Sequence, residues 1–312
     1  MVQNIVRTPQ RSVWRRMLFS WELYLFVLPA IIYFVIFAYG PMMGIIIAFK
    51  DFRPSKGILG SDWVGLKHFV RLFTMRTFGQ LVGNTLTLSI YTLLASFPLP
   101  IILALLLNAS PYPRLKKTVQ TITYAPHFIS LVVLVGMIRV FFSPNYGIIG
   151  NVLRAAGMIS GPFGALTNPA AFKHLYVWSG VWQSMGWNSI IYLGALTSID
   201  PSLHESATID GANKLQRILY IDLPGIAPTI VILLIINSGN IMNVGFEKVF
   251  LLQTPLNSSV SETISTFVYK MGIQQTQYSF STAVGLFNSV INFALLLVVN
   301  TISRVMGETA LW

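Results

Sequence analysis

Apolar residues fall in six long blocks along this chain, at about 23–49, 81–108, 119–142, 175–199, 226–246 and 282–305. Each reaches the roughly 20 residues that a helix needs to cross a bilayer. Backbone polar groups cannot stay unpaired in hydrocarbon, so each block is predicted as a helix. The runs are too continuously apolar for the alternating strands of a membrane barrel. The pattern predicts an all-α, polytopic membrane protein with six transmembrane helices, a single domain over residues 1–312 without internal repeats.

Proline interrupts several blocks: Pro29 and Pro41 in the first, Pro98 and Pro100 in the second, Pro126 in the third. Each removes a backbone hydrogen bond and predicts a kink or an end. Between the blocks, residues 63–73 are amphipathic, with Leu66, Phe69, Val70 and Phe73 on one helical face. Near 148–156, Ile148, Ile149, Val152, Leu153 and Ala156 share a face. Both stretches are predicted to lie at the membrane surface. The segment 247–280 is polar, with turn chemistry at Thr254-Pro255, and reads as a loop.

Composition agrees with a membrane protein. Charged residues make up 10%, against about 25% in soluble domains, and mean hydropathy is +0.66. The absence of cysteine removes disulfides and thiolate metal sites. His68, His127, His174 and His204 show no ligand spacing and read as ordinary surface or interface residues, with no metal site. The net charge of +11 comes without a basic–aromatic module, so it points to lipid headgroups rather than nucleic acid. No phosphate-binding G-x-x-x-x-G-K-[ST] loop and no paired acid and base occur, so the chain is predicted to be neither an ATPase nor another enzyme. Arg7, Arg11, Arg15 and Arg16 precede the first block without a cleavage site after it, which predicts an uncleaved first span. Basic residues favour a cytoplasmic N-terminal segment, 1–21, but the opposite side carries nearly as many.

The polar stretch between the fourth and fifth blocks, residues 200–225, carries the strongest local signal. Asp200 is a good N-cap and Pro201 suits a first helical turn. A helix is predicted through Leu203, Glu205 and Ala207 to a break at Gly211, where a positive φ costs little. A second short helix, 212–220, is predicted to end before Pro224. Ala207, Gly211 and Ala212 keep this elbow thin enough for another protein's groove. Glu205 and Asp210 offer carboxylates to that partner.

Glu205, Ser206, Ala207, Gly211, Ile221, Leu223 and Pro224 resemble the cytoplasmic coupling-loop signature of binding-protein-dependent ABC importers. There Glu-Ala-Ala is followed by Gly and then Ile-x-Leu-Pro; Ser206 is the one departure. Trp63-Val64-Gly65-Leu66-Lys67-His68-Phe69, Asn84-Thr85-Leu86, Trp182 with Gly186-Trp187, and Phe250-Leu251-Leu252-x-Thr254-Pro255 look like the carbohydrate branch. These motifs cover most of the chain and are most similar to permeases for complex saccharides, the group that includes the alginate importer's first permease subunit. The resemblance implies the type I importer permease fold, with a coupling helix between the fourth and fifth spans. It implies a bacterial cytoplasmic (inner) membrane location with both termini in the cytoplasm. It also implies partners: a second homologous permease, two ATPase subunits holding ATP and Mg, an extracytoplasmic solute-binding protein and a saccharide. No cofactor is expected in this chain itself. The implied ATPase-coupling residues are Glu205, Ser206, Ala207, Asp210, Gly211, Ala212, Leu223 and Pro224.

Polar groups inside spans are costly and face protein or water. Trp178, Trp182, Gln183 and Asn188 lie in the fourth block. Asn237, Asn240 and Asn243 share about a third of the circumference of the fifth. Asn288 and Asn292 are a turn apart in the sixth. Amides bind sugar hydroxyls and indole faces stack on sugar rings, so all nine are candidates for a saccharide pathway. For each, interhelical bonding or belt anchoring stands as the other reading. Lys50, Arg53, Arg139 and Lys248 predict an outer vestibule that attracts an acidic oligosaccharide such as alginate. Docking to an acidic binding protein or to headgroups explains the same charges. The alternative function is a self-sufficient secondary transporter. That would require intramembrane carboxylates, which are nearly absent here.

Overall fold

The computed structural model describes residues 21–305, so Arg7, Arg11, Arg15 and Arg16 lie outside the described residues. The first block forms α1 (Trp21–Phe49). It leads into a two-stranded antiparallel ladder, β1 (Lys50–Asp51) with β2 (Asp62–Trp63), in register Lys50↔Trp63. The all-α expectation missed this ladder, because two-residue strands have no readable period. A stack of Phe49 on Trp63, centroids 5.8 Å apart, pins it. Between the strands sits α2 (Gly57–Gly60), and after them α3 (Lys67–Thr74). The expected apolar face of α3 is turned outward: Leu66, Val70 and Phe73 are exposed, while His68 and Leu72 are buried.

The second block is α4 (Phe78–Ala109), kinked at Phe97 ahead of Pro98 and Pro100 rather than ended there. The third was predicted as one helix. It is broken at Ile129–Ser130 into α5 (Pro113–Phe128) and α6 (Leu131–Phe141), bent by 98°. Pro126 lies in a 3-10 turn at the end of α5, and the Ser130 hydroxyl caps α6 by accepting from the Val133 N–H. The amphipathic stretch near 148 is α7 (Ile148–Ala155).

The fourth block lies in α8 (Pro169–Leu196), the organising element of the fold. It packs against both halves of α4, and against α5 and α10 (Lys214–Ser238). It contributes Phe172, Tyr176, Val177 and Val181 to one buried cluster and Tyr192, Leu193 and Leu196 to another. At Gly186 a Cβ would come within 2.2 Å of the Thr123 carbonyl oxygen. Only glycine lets α8 lie this close to α5.

Among the described residues, four helices are long and apolar enough to cross a membrane: α1, α4, α10 and α14 (Tyr278–Val305). The bent α5–α6 pair makes a fifth if it is one span. With 28 residues, α8 has the length. Its Ser, Gly, Gln and Asn positions make it less apolar, as suits a helix screened from lipid by its neighbours.

Prolines are accommodated by π-turns. One, at Val35–Tyr39, precedes Pro41, with the Gly40 N–H bonded to the Val35 carbonyl. Another, at Ile218–Asp222, precedes Pro224, with the Leu223 N–H bonded to the Ile218 carbonyl. The wider turn shifts the bonding register, so a residue without an N–H can follow without breaking the helix. The predicted end before Pro224 is therefore absent, and the elbow's second arm continues directly into α10.

The fifth block was expected to stay helical to 246, but α10 stops at Ser238. Asn237 and Asn240 turn their amides back onto the Leu233 and Ile236 carbonyls at 2.7 and 3.4 Å. These local bonds compete with helix continuation. The polar stretch after it is no open loop. It folds into three short helices packed on the core, α11 (Phe246–Leu252), α12 (Ser258–Ser261) and α13 (Ile264–Tyr269), while α9 (Pro201–Ile209) belongs to the elbow before α10. Val249, Leu252, Ile264 and Phe267 are buried there.

Candidate functional site

Two regions gather the candidate side chains: the exposed elbow at 200–225 and a polar cavity among α4, α8 and the turns after α10.

The elbow starts where Asp200 caps α9, its Oδ1 accepting the Ser202 N–H at 2.9 Å. That backbone donor, helped by the Ser202 hydroxyl, holds the Asp200 carboxyl below its ordinary range. At the far end Gly211 has φ +78°. Its N–H donates to the Thr208 carbonyl at 3.1 Å, and the Ala212 N–H to the Ala207 carbonyl at 2.8 Å. This is a Schellman turn, which requires the left-handed residue. The second arm begins at Lys214, two residues later than expected. Asn213 is its N-cap and shares a reciprocal capping box with Gln216, at 2.7 and 2.9 Å. Arg217 closes the bend by donating to Thr208 Oγ1 at 3.1 Å.

Glu205, Ser206, Asp210, Gly211 and Pro224 are exposed, and Ala207, Ala212 and Leu223 half-buried. Leu203, Ile209 and Leu215 are exposed beside them. On the inward side, His204 Nε2 lies 3.2 Å from Asp222 Oδ1, and Asn108 Nδ2 donates to the same oxygen at 3.3 Å. Asp222 is only 3% exposed. One carboxyl group thus ties α9, α10 and the end of α4 together, beside a cavity of about 360 Å³ that Lys214 and Arg217 also line.

Asn237, Asn240 and Asn243 line a cavity of about 270 Å³ with Ser89, Thr92, Ser96 and Tyr176. An adjoining one of about 240 Å³ holds Asn188 and Tyr192. The two share Leu93, Ser96 and Asn237, so they form one passage between α4, α8 and α10. Among the described residues, no charged side chain lines it. Behind it, Asn288 and Asn292 donate their amides to Asn243 Oδ1 at 3.0 and 3.2 Å, and Asn292 Oδ1 accepts the Met242 N–H at 2.8 Å. Asn240 and Asn243 reach the passage from the turns after α10 rather than from a helical face. Ser89 Oγ and Asn288 Oδ1 are buried and have no protein partner among the described residues. Buried polar atoms are nearly always paired, so an orphan at a cavity calls for a partner from outside the chain.

Three fourth-block candidates fall elsewhere. Gln183 is committed to the Ile129 carbonyl at 2.8 Å, at the bend between α5 and α6. Trp178 and Trp182 line an almost wholly apolar cavity of about 410 Å³ with Leu134, Ile138 and Phe141. Trp178 Nε1 donates to the Tyr91 hydroxyl at 2.9 Å, which lies 2.9 Å from His174 Nδ1. These indoles share one face of α8 and Asn188 projects from another, so stacking and amide contacts are separate.

The expected vestibule of cations does not form around the passage. Lys50 donates to the Ile58 and Leu59 carbonyls, Arg139 to the Leu251 carbonyl, and Lys248 to the Tyr176 carbonyl at 2.8 Å. Burial pushes the Lys248 ammonium down to about 8. Arg53 and Arg139 are the exposed members of the four. The histidines lie at the surface or between elements: His174 is exposed, while His68 is buried. His68 Nε2 meets the Lys50 carbonyl at 3.1 Å, and His127 stacks on Trp187 with centroids 4.4 Å apart.

Ser89, Thr92 and Ser96 escaped notice in the sequence, although their spacing puts a hydroxyl stripe on one face of α4. Tyr176 and Asp222 carried no readable signal. Replacing Asn243 with leucine strands two buried amides and is expected to cost about 1–3 kcal/mol. Asn243→Asp keeps the acceptor and should stay near the parent. Thermal unfolding of the purified protein checks this, and a leucine variant as stable as the parent would show that these amides do not hold the passage.

The family described as binding-protein-dependent transport system inner membrane component matches residues 96–307. The polygalacturonan/rhamnogalacturonan transport system permease protein YteP of Bacillus subtilis (strain 168) is 44% identical over 290 residues, covering 93% of this chain and 90% of that protein. Protein LplB of the same strain is 40% identical, covering 93% and 91%. Among solved structures, a bacterial ABC transporter involved in the import of the acidic polysaccharide alginate matches with TM-score 0.86 and 42% identity, covering 94% of this chain and 98% of the other. A bacterial alginate ABC transporter in complex with an alginate pentasaccharide-bound periplasmic protein matches with TM-score 0.88 and 41% identity, covering 96% and 100%.

Proposed function

The chain belongs to the family of binding-protein-dependent transport system inner membrane components, and from that membership we propose that it forms half of an ATP-driven import pathway for an acidic oligosaccharide. It is a transport subunit, not an enzyme. Its six spans are α1, α4, the α5–α6 pair, α8, α10 and α14, which leaves both termini and the elbow in the cytoplasm. ATP and Mg bind to separate ATPase subunits, and a second permease completes the passage. Glu205, Ser206, Ala207, Asp210, Gly211, Ala212, Leu223 and Pro224 receive the ATPase motion, and an extracytoplasmic binding protein delivers the cargo.

The passage lined by Asn188, Asn237, Asn240, Asn243, Ser89, Thr92 and Ser96 carries this reading. Amides and hydroxyls bond sugar hydroxyls and carboxylates without a tight ion pair. Binding weak enough to release the cargo is what conduction needs. The exposed leucines and isoleucine of the elbow support a docked partner, since apolar surface rimmed by polar groups marks interaction sites. The acidic cargo is supported by the pectic and alginate substrates of its relatives.

ATP hydrolysis and uptake by the reconstituted complex, with its binding protein and a saccharide panel, test this. Uronate oligosaccharides are expected to stimulate both. Preference for neutral sugars would remove the acidic cargo, and no response to any saccharide would remove the reading altogether. Asn243→Asp should depress acidic uptake more than neutral uptake, because it puts a like charge in the passage.

A further inference from the structure

Next along the chain from the amide-lined passage lies a further cavity of about 370 Å³, lined by Phe246, Ser265, Tyr269, Ile273, Tyr278 and Thr282 among others. We propose that it is a second saccharide subsite, taking one pyranose ring of the cargo while the next units lie in the amide passage. The proposal rests on the saccharide reading above and assigns this part of the path.

Three observations carry it. The first is the wall. Phe246, Phe250 and Tyr269 form a closed aromatic set, with centroids 4.9–5.5 Å apart. Tyr278 stands across the cavity, held edge-on by Phe52 at 6.0 Å. Aromatic faces offer flat, weakly polar surface to the C–H face of a sugar ring, and amphipathic tyrosine adds a hydroxyl.

The second is unused bonding capacity. The hydroxyls of Ser265, Tyr269 and Tyr278 have no protein hydrogen bond among the described residues, and the Thr282 hydroxyl, which donates to the Tyr278 carbonyl at 2.8 Å, keeps its acceptor lone pairs.

The third is placement and local strain. Gly245 lines the amide passage and Phe246, next in sequence, lines the aromatic cavity. Along α14, Thr282 precedes Asn288 by about 9 Å and Tyr278 precedes it by about 15 Å, at 1.5 Å per residue. One pyranose cannot bridge that distance, but an oligosaccharide can. The cavity wall is also built by costly backbone. Lys270–Gln274 is a π-turn, Thr276 has φ +54°, and a Cβ at Gly272 would meet Ser281 Oγ at 2.5 Å. Gln277 Oε1, on the residue before Tyr278, is buried without a protein partner among the described residues. π-turns and strained non-glycine residues are often found at functional sites, and unlike the two π-turns above the one at Lys270–Gln274 has no proline following it.

The test compares saccharides of increasing length, delivered by the loaded binding protein to the reconstituted complex. Ser265→Leu fills the cavity, and Tyr269→Phe removes a hydroxyl while keeping the aromatic packing. Ser265→Leu is expected to raise the half-saturating concentration for tetra- and pentasaccharides about three- to tenfold, the range that loss of one aromatic stacking contact gives, with disaccharide uptake unchanged. Tyr269→Phe should show a smaller shift in the same direction. Equal effects at every length, or none, would overturn the subsite while leaving saccharide import in place. A parent complex that imports no saccharide at all would overturn the import reading instead. If Ser265→Leu does not assemble, Tyr269→Phe alone decides by whether its shift grows with chain length.

Discussion

Replacing His204 with leucine is expected to destabilise the protein by about 2–3 kcal/mol and to weaken the link between elbow and spans. Asp222 is 3% exposed and its carboxyl group takes His204 at 3.2 Å and Asn108 at 3.3 Å. Removing the imidazole leaves the carboxyl buried with one neutral donor. The penalty falls below that of a fully stranded pair because Asn108 remains and the adjoining cavity of about 360 Å³ admits water. The paired variant His204→Leu with Asp222→Leu removes both polar groups and should recover most of the stability, since apolar replacement of a buried pair is often neutral. Thermal unfolding of the purified complex, with transport per ATP hydrolysed measured beside it, decides the matter. A single variant as stable and as well coupled as the parent would show that this contact does not tie α9 to α10.

Gly211→Val should reduce transport per ATP hydrolysed about five- to thirtyfold, from the roughly 1–2 kcal/mol that a left-handed backbone costs an L-residue. At φ +78° the cost is conformational, because nothing lies within 4 Å of a Cβ built there. Backbone preference and side-chain bulk then make different predictions. Asparagine visits the left-handed region more readily than alanine. Gly211→Asn should therefore couple better than Gly211→Ala, although it is the larger residue. The reverse order would mean that space at the partner's groove, not the turn, sets the requirement.

The elbow was the most legible part of the chain. Asp200 as a cap, Pro201 in the first turn and Gly211 in the left-handed region follow from local chemistry, and the structure has all three. The second arm was misjudged at both ends. The helix starts at Lys214 rather than Ala212 because Asn213 caps it, its side chain and Gln216 satisfying each other. Pro224 did not end the helix because the π-turn before it shifted the register. The fifth block misled for a similar reason: hydropathy continues to 246, but Asn237 and Asn240 bond to preceding carbonyls and the helix stops at Ser238.

The polar passage was legible in composition but not in arrangement. Asn188, Asn237, Asn240 and Asn243 do meet there, while Trp178, Trp182 and Gln183 go to other surfaces of α8. A helical face can be read from spacing, yet what that face meets depends on neighbours distant in sequence. The outer cations show the same limit. Counting charges suggested an anion-attracting vestibule, but Lys50, Arg139 and Lys248 are spent on main-chain carbonyls.

What the sequence determined by itself was local: long apolar runs that must be helical in a bilayer, a capped elbow with a glycine hinge, and the family signature it carries. These depend on residues within a turn or two of each other, where propensity and capping act. Tertiary structure alone decided which polar side chains share a cavity, that Asp222 and His204 form one buried contact, and that Phe246, Tyr269 and Tyr278 line a space beside the amides. Those outcomes follow from long-range packing around α8, whose glycine and small polar positions let neighbouring helices approach closely. No local pattern encodes which partners then arrive.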